Sequence, residues 1–533
     1  MASLALLHLL LALPARPDEL AVTAFVVAPL ELALLAAVPA LVPRGARSAA
    51  VGLATVLVML AVTLKLADLA AFSALGRPFN PVFDLHLVAS AWALVTGAVG
   101  PWRAVARAGL DLVVLVLTTA LAARALAVLA DAAAGFARTG RRIAAALALA
   151  VGAMAVPGVD AANAALLERK LRDGLDAVAS LRAFGREAAA DAQARVDDEA
   201  LLRALAGRDV LFLFVESYGR SALEGARYAP TIRPRLDAFE ASLGEAGYGA
   251  RSGWLTAPVK GGQSWLAHAT LLTGLEIDHQ RRYASLLASE RRSLVHGFER
   301  AGWRTVAVMP AITMAWPEGG WFGYDATYTA DDLGYAGAPF NWVTMPDQYT
   351  LSALERLELA GADRAPVMAE VALISSHAPW TPIPPVLDWD DVGDGRVFTP
   401  YAEAGDPPSV VWRDAERVRA QYLKAVDYAL ANLGSYVETH GRDDLVLVVV
   451  GDHQPAPLVT GENAGFDVPM HVIAAPEVLS EIDGWGWSAG MVPAEDQPPW
   501  PMAAFRDRFV EAFSGPSSPP ASAVQASATD NGA

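Results

Sequence analysis

The 533-residue chain contains no cysteine. That absence excludes disulfides, thiolate metal sites and cysteine nucleophiles, and it leaves the redox compartment undetermined. Positive charge is scarce too, with 41 Lys and Arg against 58 Asp and Glu and a net charge of −17. The shortage lies beyond residue 160, because in residues 1–160 there are 11 Lys and Arg against 8 Asp and Glu. An acidic soluble portion repels nucleic acid, so no nucleic-acid partner is expected. The first 160 residues are nearly all apolar, and the chain is too long for one ordinary domain.

Within that apolar third, Leu20–Val42, Ala49–Phe72, Ala108–Ala130 and Ile143–Pro157 are long enough, or nearly so, to cross a hydrocarbon core as helices. The opening MASLALLHLLLALPAR reads as a short first span, since it lacks the positive n-region of a signal peptide. Leu85–Val99 is short, follows Pro81 and Asp84 and contains His86, which suits a re-entrant or interfacial segment. If Arg44, Arg47, Arg138, Arg141 and Arg142 are cytoplasmic, the chain crosses about five times and everything from Gly158 onward is extracytoplasmic. Arg103 and Arg107 run against this scheme, and a full span at Leu85–Val99 would reverse it. The expectation is a multi-pass protein of the cell (inner) membrane with its soluble domain outside the cytoplasm. Glu31, Lys65 and Arg124 lie in or near spans, where charge is costly. Snorkelling accounts for Lys65 and Arg124, whereas Glu31 divides evenly between a structural and a substrate-path role.

Beyond a helical connector, apolar runs at Val210–Val215, Arg304–Met309, Val367–Ile374 and Leu445–Val450 alternate with helical patterns. This predicts an α/β domain with a largely parallel central sheet flanked by helices. Open α/β sheets bind ligands beyond the carboxyl ends of their strands, so the residues after each run matter most. VLFLFVESYG leads to Glu216, VALISSHAPW leads to His377, and VLVVVGDHQP passes Gly451 to reach Asp452 and His453. TAPVKGGQSWLAHATLLTG supplies Lys260 and then Ser264 at the start of a helix, where backbone amides favour an anion such as phosphate. Any one of these has an ordinary explanation as a cap or loop residue. Together they form a mixed oxygen and nitrogen set suited to one divalent ion, manganese, zinc or magnesium.

The order Glu, hydroxyl at a helix start, His-x-Pro and Gly-Asp-His resembles the sulfatase-like branch of the alkaline phosphatase superfamily, and most of all its membrane-anchored lipoteichoic acid synthase and phosphoglycerol transferase group. The likeness covers about residues 205–475 well and the apolar third loosely. It implies an alkaline-phosphatase-like catalytic domain over 206–480, set by composition and periodicity between a transmembrane helix bundle (1–158) with its connector (159–205) and a C-terminal loop and helix (481–513) with a Ser-, Ala- and Pro-rich tail expected to be disordered (514–533). It further implies that Glu216, Ser264, Asp452 and His453 hold the metal and that Ser264 is the nucleophile. Substrate contacts would come from His377, Trp316 and Lys260. The family places an arginine two residues after that tryptophan, and this chain has Glu318, which cannot hold a phosphate as a guanidinium does. A formylglycine sulfatase is disfavoured, because Ser264 is followed by Trp265, Leu266, Ala267 and His268 and not by x-Pro-x-Arg.

The implied function is transfer of a phospholipid head group to an envelope glycan or lipid acceptor through a phospho-serine intermediate. The alternatives are a phosphodiesterase or sulfatase-like hydrolase, or a degenerate non-catalytic envelope protein. His268, His279, His296 and His471 receive no role, His471 being read as a packed core histidine. Trp321, Tyr324 and Trp342 are read as pocket-lining or simply packed.

Overall fold

The computed structural model describes residues 1–32, 34–35, 42–85, 87–134, 159–191, 196–361 and 363–515. The chain divides into two compact units, Met1–Arg182 and Ala183–Ala533.

The first unit is helical. Arg44–Leu75 and Pro101–Ala132 are each long and apolar enough to cross a membrane. The first ends where Gly76 takes a left-handed conformation that only glycine adopts freely, its N–H returning to the Phe72 carbonyl. These helices pack with Ala2–Ala12 around Leu7, Leu11, Val58, Val62 and Leu126. Leu87–Val99 is a 13-residue helix, too short to span a hydrocarbon core by itself. The reading of Leu20–Val42 as one span needs correction. Its described part holds a 3-10 turn at Val22–Phe25 and then a two-residue strand β1 (Ala28–Pro29), which pairs in parallel with β2 (Val159–Asp160). Ile143–Pro157 and the arginines 138, 141 and 142 lie outside the described residues, as does residue 86.

Four charged residues here, Lys65, Glu31, Lys170 and Asp68, are tied down. Lys65 does not snorkel: it is buried, and its ammonium donates to the Leu11 carbonyl at 2.6 Å, an oxygen that the end of the first helix leaves unpaired. Glu31 accepts from the backbone N–H of Ala164 at 2.9 Å and from the Asn163 amide, so it caps the helix Ala162–Ala188. Lys170 on that helix forms a buried ion pair with Asp68 at 2.6 Å.

The second unit is built on a nine-stranded sheet. Its strands are β3 (Asp209–Val215), β4 (Gly249–Thr256), β5 (Arg304–Met309), β6 (Ala326–Thr329), β7 (Val367–Leu373), β8 (Leu445–Gly451), β9 (Asp467–Ala474), β10 (Ser488–Ala489) and β11 (Trp500–Pro501). The order is β10-β4-β9-β8-β3-β7-β5-β6, with β11 also paired to β4. The five strands from β8 to β6 run parallel, and β9 and β4 form an antiparallel wing. β3 and β8 are buried along their whole length, which is why they read as uninterrupted apolar runs. Successive residues of β3 face opposite layers: Leu211 and Leu213 join the core around the helices Ala229–Glu245 and Ala415–His440. Phe212 and Phe214 join the core containing Leu266, Phe298, Phe505 and Phe509. Residues 481–513 extend this sheet through β10 and β11, and their helix Phe505–Phe513 buries three phenylalanines in the second core.

Candidate active site

β3 lies between β7 and β8, so the segments that follow the three strands meet at one rim of the sheet. Glu216 comes directly after β3, Ser376 and His377 come after β7, and Asp452 and His453 come after β8. Gly451 closes β8 opposite Val215, and a Cβ there would sit 1.8 Å from the Tyr218 carbonyl oxygen. Only glycine lets the chain approach so closely, and this answers why it precedes Asp452.

A separate device brings Ser264 to the same place. Lys260 forms a parallel bridge with Gln454, and the Gly261 N–H donates to the Gln454 carbonyl at 2.8 Å, so the loop after β4 is stitched to the loop after β8. Gly261, Gly262 and Gln263 then all take positive φ, of 78, 139 and 67°. The resulting turn starts the helix Ser264–Thr273 over the rim, and the strained Gln263 is the sort of residue that a fold holds in place for a function.

The Ser264 hydroxyl donates to Glu216 Oε2 at 2.8 Å and lies 3.3 Å from His453 Nε2. His453 Nε2 is 3.2 Å from Glu216 Oε1 and 3.8 Å from Asp452 Oδ2. The second nitrogen of the ring, Nδ1, is 2.9 Å from the Gln454 carbonyl, which fixes the ring with Nε2 inward. Asp452 Oδ1 accepts from the N–H groups of Ser217 (2.8 Å) and His453 (2.6 Å), and Ser376 donates from its hydroxyl to the Glu216 carbonyl at 2.6 Å. Ser217, itself at φ 57°, and Ser376 were not singled out from sequence. Nothing in a single chain marks a serine whose task is to hold a loop.

Glu216, Asp452 and His453 each offer a ligand atom within 4.8 Å of the others. Their electrostatics show two carboxylates in one dry site with too little positive charge. Burial pushes Glu216 up, but the imidazoles of His377 and His453 outweigh it and hold the carboxyl well below the usual range. Burial and the Glu216 charge together push Asp452 up to about 7. Burial lowers His453, yet the two carboxylates more than reverse this and carry it to about 9. Among the described residues no Lys or Arg pairs with either carboxylate. A divalent cation fits this donor set: it would supply the missing charge, and oxygen and imidazole are ligands it accepts.

The remaining sequence-derived residues spread around this centre. His377 is half-buried, holds Nδ1 against the Ala378 carbonyl oxygen at 2.6 Å, and acts electrostatically on Glu216. A cavity beside it is lined by Phe340, Val343, Pro379, Trp380, Ile383 and Pro384. Trp316 stacks at 6.3 Å on Phe322 and lies at the same distance from Tyr324. Lys260 is buried and gives its ammonium to the Ala464 carbonyl at 2.7 Å, above the Phe466 ring. His471 is fully buried, with Nδ1 2.7 Å from Ser252 Oγ and Nε2 3.3 Å from Tyr218 Oη. Burial lowers it to about 3, as suits a neutral core histidine.

No family model and no curated protein matches the sequence. Among solved structures, the chain is similar to the lipoteichoic acid synthase LtaP from Listeria monocytogenes, at 16% identity and a TM-score of 0.37. That match covers 50% of this chain and 66% of the Listeria chain. It is also similar to the phosphoglycerol transferase GacH from Streptococcus pyogenes in complex with sn-glycerol-1-phosphate, at 12% identity and a TM-score of 0.36, covering 63% of this chain and 92% of the other. A third likeness is to a protein in the alkaline phosphatase superfamily from Vibrio parahaemolyticus, at 16% identity and a TM-score of 0.33, covering 56% and 68%.

Proposed function

We propose that the chain is a membrane-anchored, metal-dependent phosphotransferase that moves a phospholipid head group to an envelope glycan or lipid acceptor through a phospho-serine at Ser264. The observation that carries this reading is the meeting of Ser264 Oγ with Glu216 and His453, at 2.8 and 3.3 Å, next to Asp452. A hydroxyl held at the start of a helix, against three metal-ligand types, is the arrangement that phosphoryl transfer needs.

Glu216, Asp452, His453 and Ser264 would hold the ion, manganese being the first choice. When bound, it lowers the pKa of the serine hydroxyl and offsets charge on the phosphoryl oxygens. Ser264 Oγ, its proton lost to solvent, attacks phosphorus as the alkoxide, forming the serine–phosphorus bond as the bond to the departing alcohol breaks, and it is regenerated as the alkoxide in the second half. His377, with Nδ1 fixed, gives the leaving oxygen a proton from Nε2. In the second half the acceptor hydroxyl attacks phosphorus, His377 takes back a proton, and Ser264 is released. The two membrane-length helices tether the chain to the bilayer, which raises the effective concentration of a lipid donor. We place the second unit outside the cytoplasm and the first across the inner membrane in several passes.

Full-length protein in detergent, supplied with manganese and head-group-labelled phospholipids, tests this reading. Label on a glycan or lipid acceptor supports transfer. Label released only as free head group would make the chain a phosphodiesterase, and no turnover with manganese, zinc or magnesium would defeat both enzyme readings.

A further inference from the structure

One turn along the Ser264 helix stands His268, and residues four apart on a helix share a face. Its ring lies flat on Phe214 of β3, with centroids 3.7 Å apart and planes 15° from parallel. Nδ1 is 2.6 Å from Glu370 Oε1, and the second carboxylate oxygen of Glu370 accepts from the Tyr324 hydroxyl. Glu370 sits in the middle of β7, registered opposite Phe212 and Ala307, and is 2% exposed. A carboxylate there costs stability that a valine or methionine would not. Its two partners are an imidazole and a phenol, and its effect is to fix one ring.

That ring is left with a free edge. With Nδ1 against the carboxylate, among the described residues no protein group takes Nε2, and Nε2 is absent from the buried, unpartnered polar atoms. The nitrogen therefore opens outward on the face that carries Ser264. The same contacts run on to the tryptophan proposed for the head group: Glu370 to Tyr324, then Tyr324 to Trp316 at 6.3 Å. The wall so formed presents carboxylate, phenol, indole and imidazole, and it lacks the guanidinium that a second anionic group would require.

We propose that His268 is a specificity-determining residue that contacts the transferred head group, with Glu370 and Tyr324 as the residues that position it. The proposal rests on the phosphotransferase reading above. Because Nδ1–H donates to Glu370, Nε2 is the edge left to meet the head group, and as an acceptor it selects a group that carries an O–H or N–H donor close to the phosphodiester. An anionic or fully alkylated head group gains nothing from it. In the proposed reaction the head group stays on phosphorus through both steps, so it occupies this wall while alcohols exchange on the His377 side.

The test uses full-length protein with manganese and three p-nitrophenyl phosphodiesters whose second ester is 2-hydroxyethyl, 2-aminoethyl or ethyl. The wild type is expected to favour the two donor-bearing esters over the ethyl ester by about tenfold in kcat/KM, because a site built to pair with a donor rejects the analogue lacking it. In His268→Leu that ratio should fall to near one. In Tyr324→Phe and Glu370→Gln it should fall part of the way, with metal content and melting temperature of Tyr324→Phe kept. A ratio that survives His268→Leu, or equal losses on all three esters, would overturn the proposal and leave the phosphotransferase reading standing. No turnover of any ester by the wild type would overturn both. Should His268→Leu fail to fold, the ratio in Tyr324→Phe decides, and an unchanged ratio there counts against the assignment.

Discussion

The two ends of β3 carry buried acids that are treated in opposite ways. At its start Asp209, 1% exposed, accepts from Arg364 at 2.7 and 2.5 Å, from Arg442 at 2.7 Å and from the Val367 N–H at 2.8 Å. Burial raises this carboxyl, but the two guanidiniums outweigh it and keep it ionised. Just past the other end, Glu216 and Asp452 share a site whose nearest positive charge is imidazole, and Asp452 is pushed up to about 7. The carboxylate at the start of the strand has permanent cations, and the pair at the rim is left short of charge, as a site completed by an exchangeable cation would be.

Removing the proposed nucleophile is the severest way to probe the rim. Ser264→Ala should lower turnover of a phosphodiester by about 10⁴-fold or more while leaving the far end of β3 intact. Retained turnover with a normal melting profile would dissolve the contrast.

Alanine at each buried acid should then give opposite phenotypes. Asp452→Ala should lose bound divalent ion, measured by elemental analysis, with a modest change in melting temperature. Asp209→Ala should keep the ion but lose about 3 kcal/mol in denaturant unfolding, since it strands two partly buried guanidiniums. Equal metal loss in both variants would show that the two ends do not differ as described.

A pH series sharpens the same point. Protons held by His453, carried to about 9, and by Asp452, at about 7, must leave before a cation can bind. Metal affinity should therefore rise with pH, by about tenfold per unit between 7 and 9 as one proton leaves His453, and more steeply below 7, where Asp452 is protonated as well. Isothermal titration in buffers of different ionisation enthalpy would count the released protons, and an affinity flat from pH 6 to 8 would contradict the assignment.

The smallest expected effect concerns His471, buried with neither a charge nor an ion beside it. Its folded pKa of about 3 lies below the ordinary 6.5, so the unfolded chain binds more protons and stability falls as pH drops through 6.5. Between pH 6.5 and 5.5 this contributes a loss of about 1 kcal/mol, which His471→Gln should remove. An acid limb unchanged in that variant would mean the ring is not held neutral.

Much of this was legible beforehand because burial on both faces writes itself as an unbroken apolar run. β3, β5, β7 and β8 were located in that way, and the polar residues that follow β3, β7 and β8 lie at one rim. The antiparallel wing was less visible, since β4 in GARSGWLT mixes polar and apolar residues, four of its eight positions being occupied by Gly, Arg or Ser. Leu20–Val42 misled for the opposite reason: apolar composition fixes where a segment can be buried but not whether Pro29 will let it run as one helix. Lys65 and Glu31 were judged by their depth in a span, whereas their partners, Leu11 and Ala164, come from distant segments. The Glu370–His268 pair was readable only as a lone acid inside VMAEVALIS, with nothing local to name its partner.

By itself the sequence determined the chemistry available: which strands are buried, which of them end in metal-ligand residues, and that no thiol takes part. It could do so because strand burial, turn-forming glycines and ligand type are properties of short stretches. The tertiary structure alone decided which of those ends face one another, through the placing of β3 between β7 and β8 and the bridge from Lys260 to Gln454. Contacts between residues some 50 to 240 positions apart depend on the path of the whole chain, and no local pattern records that path.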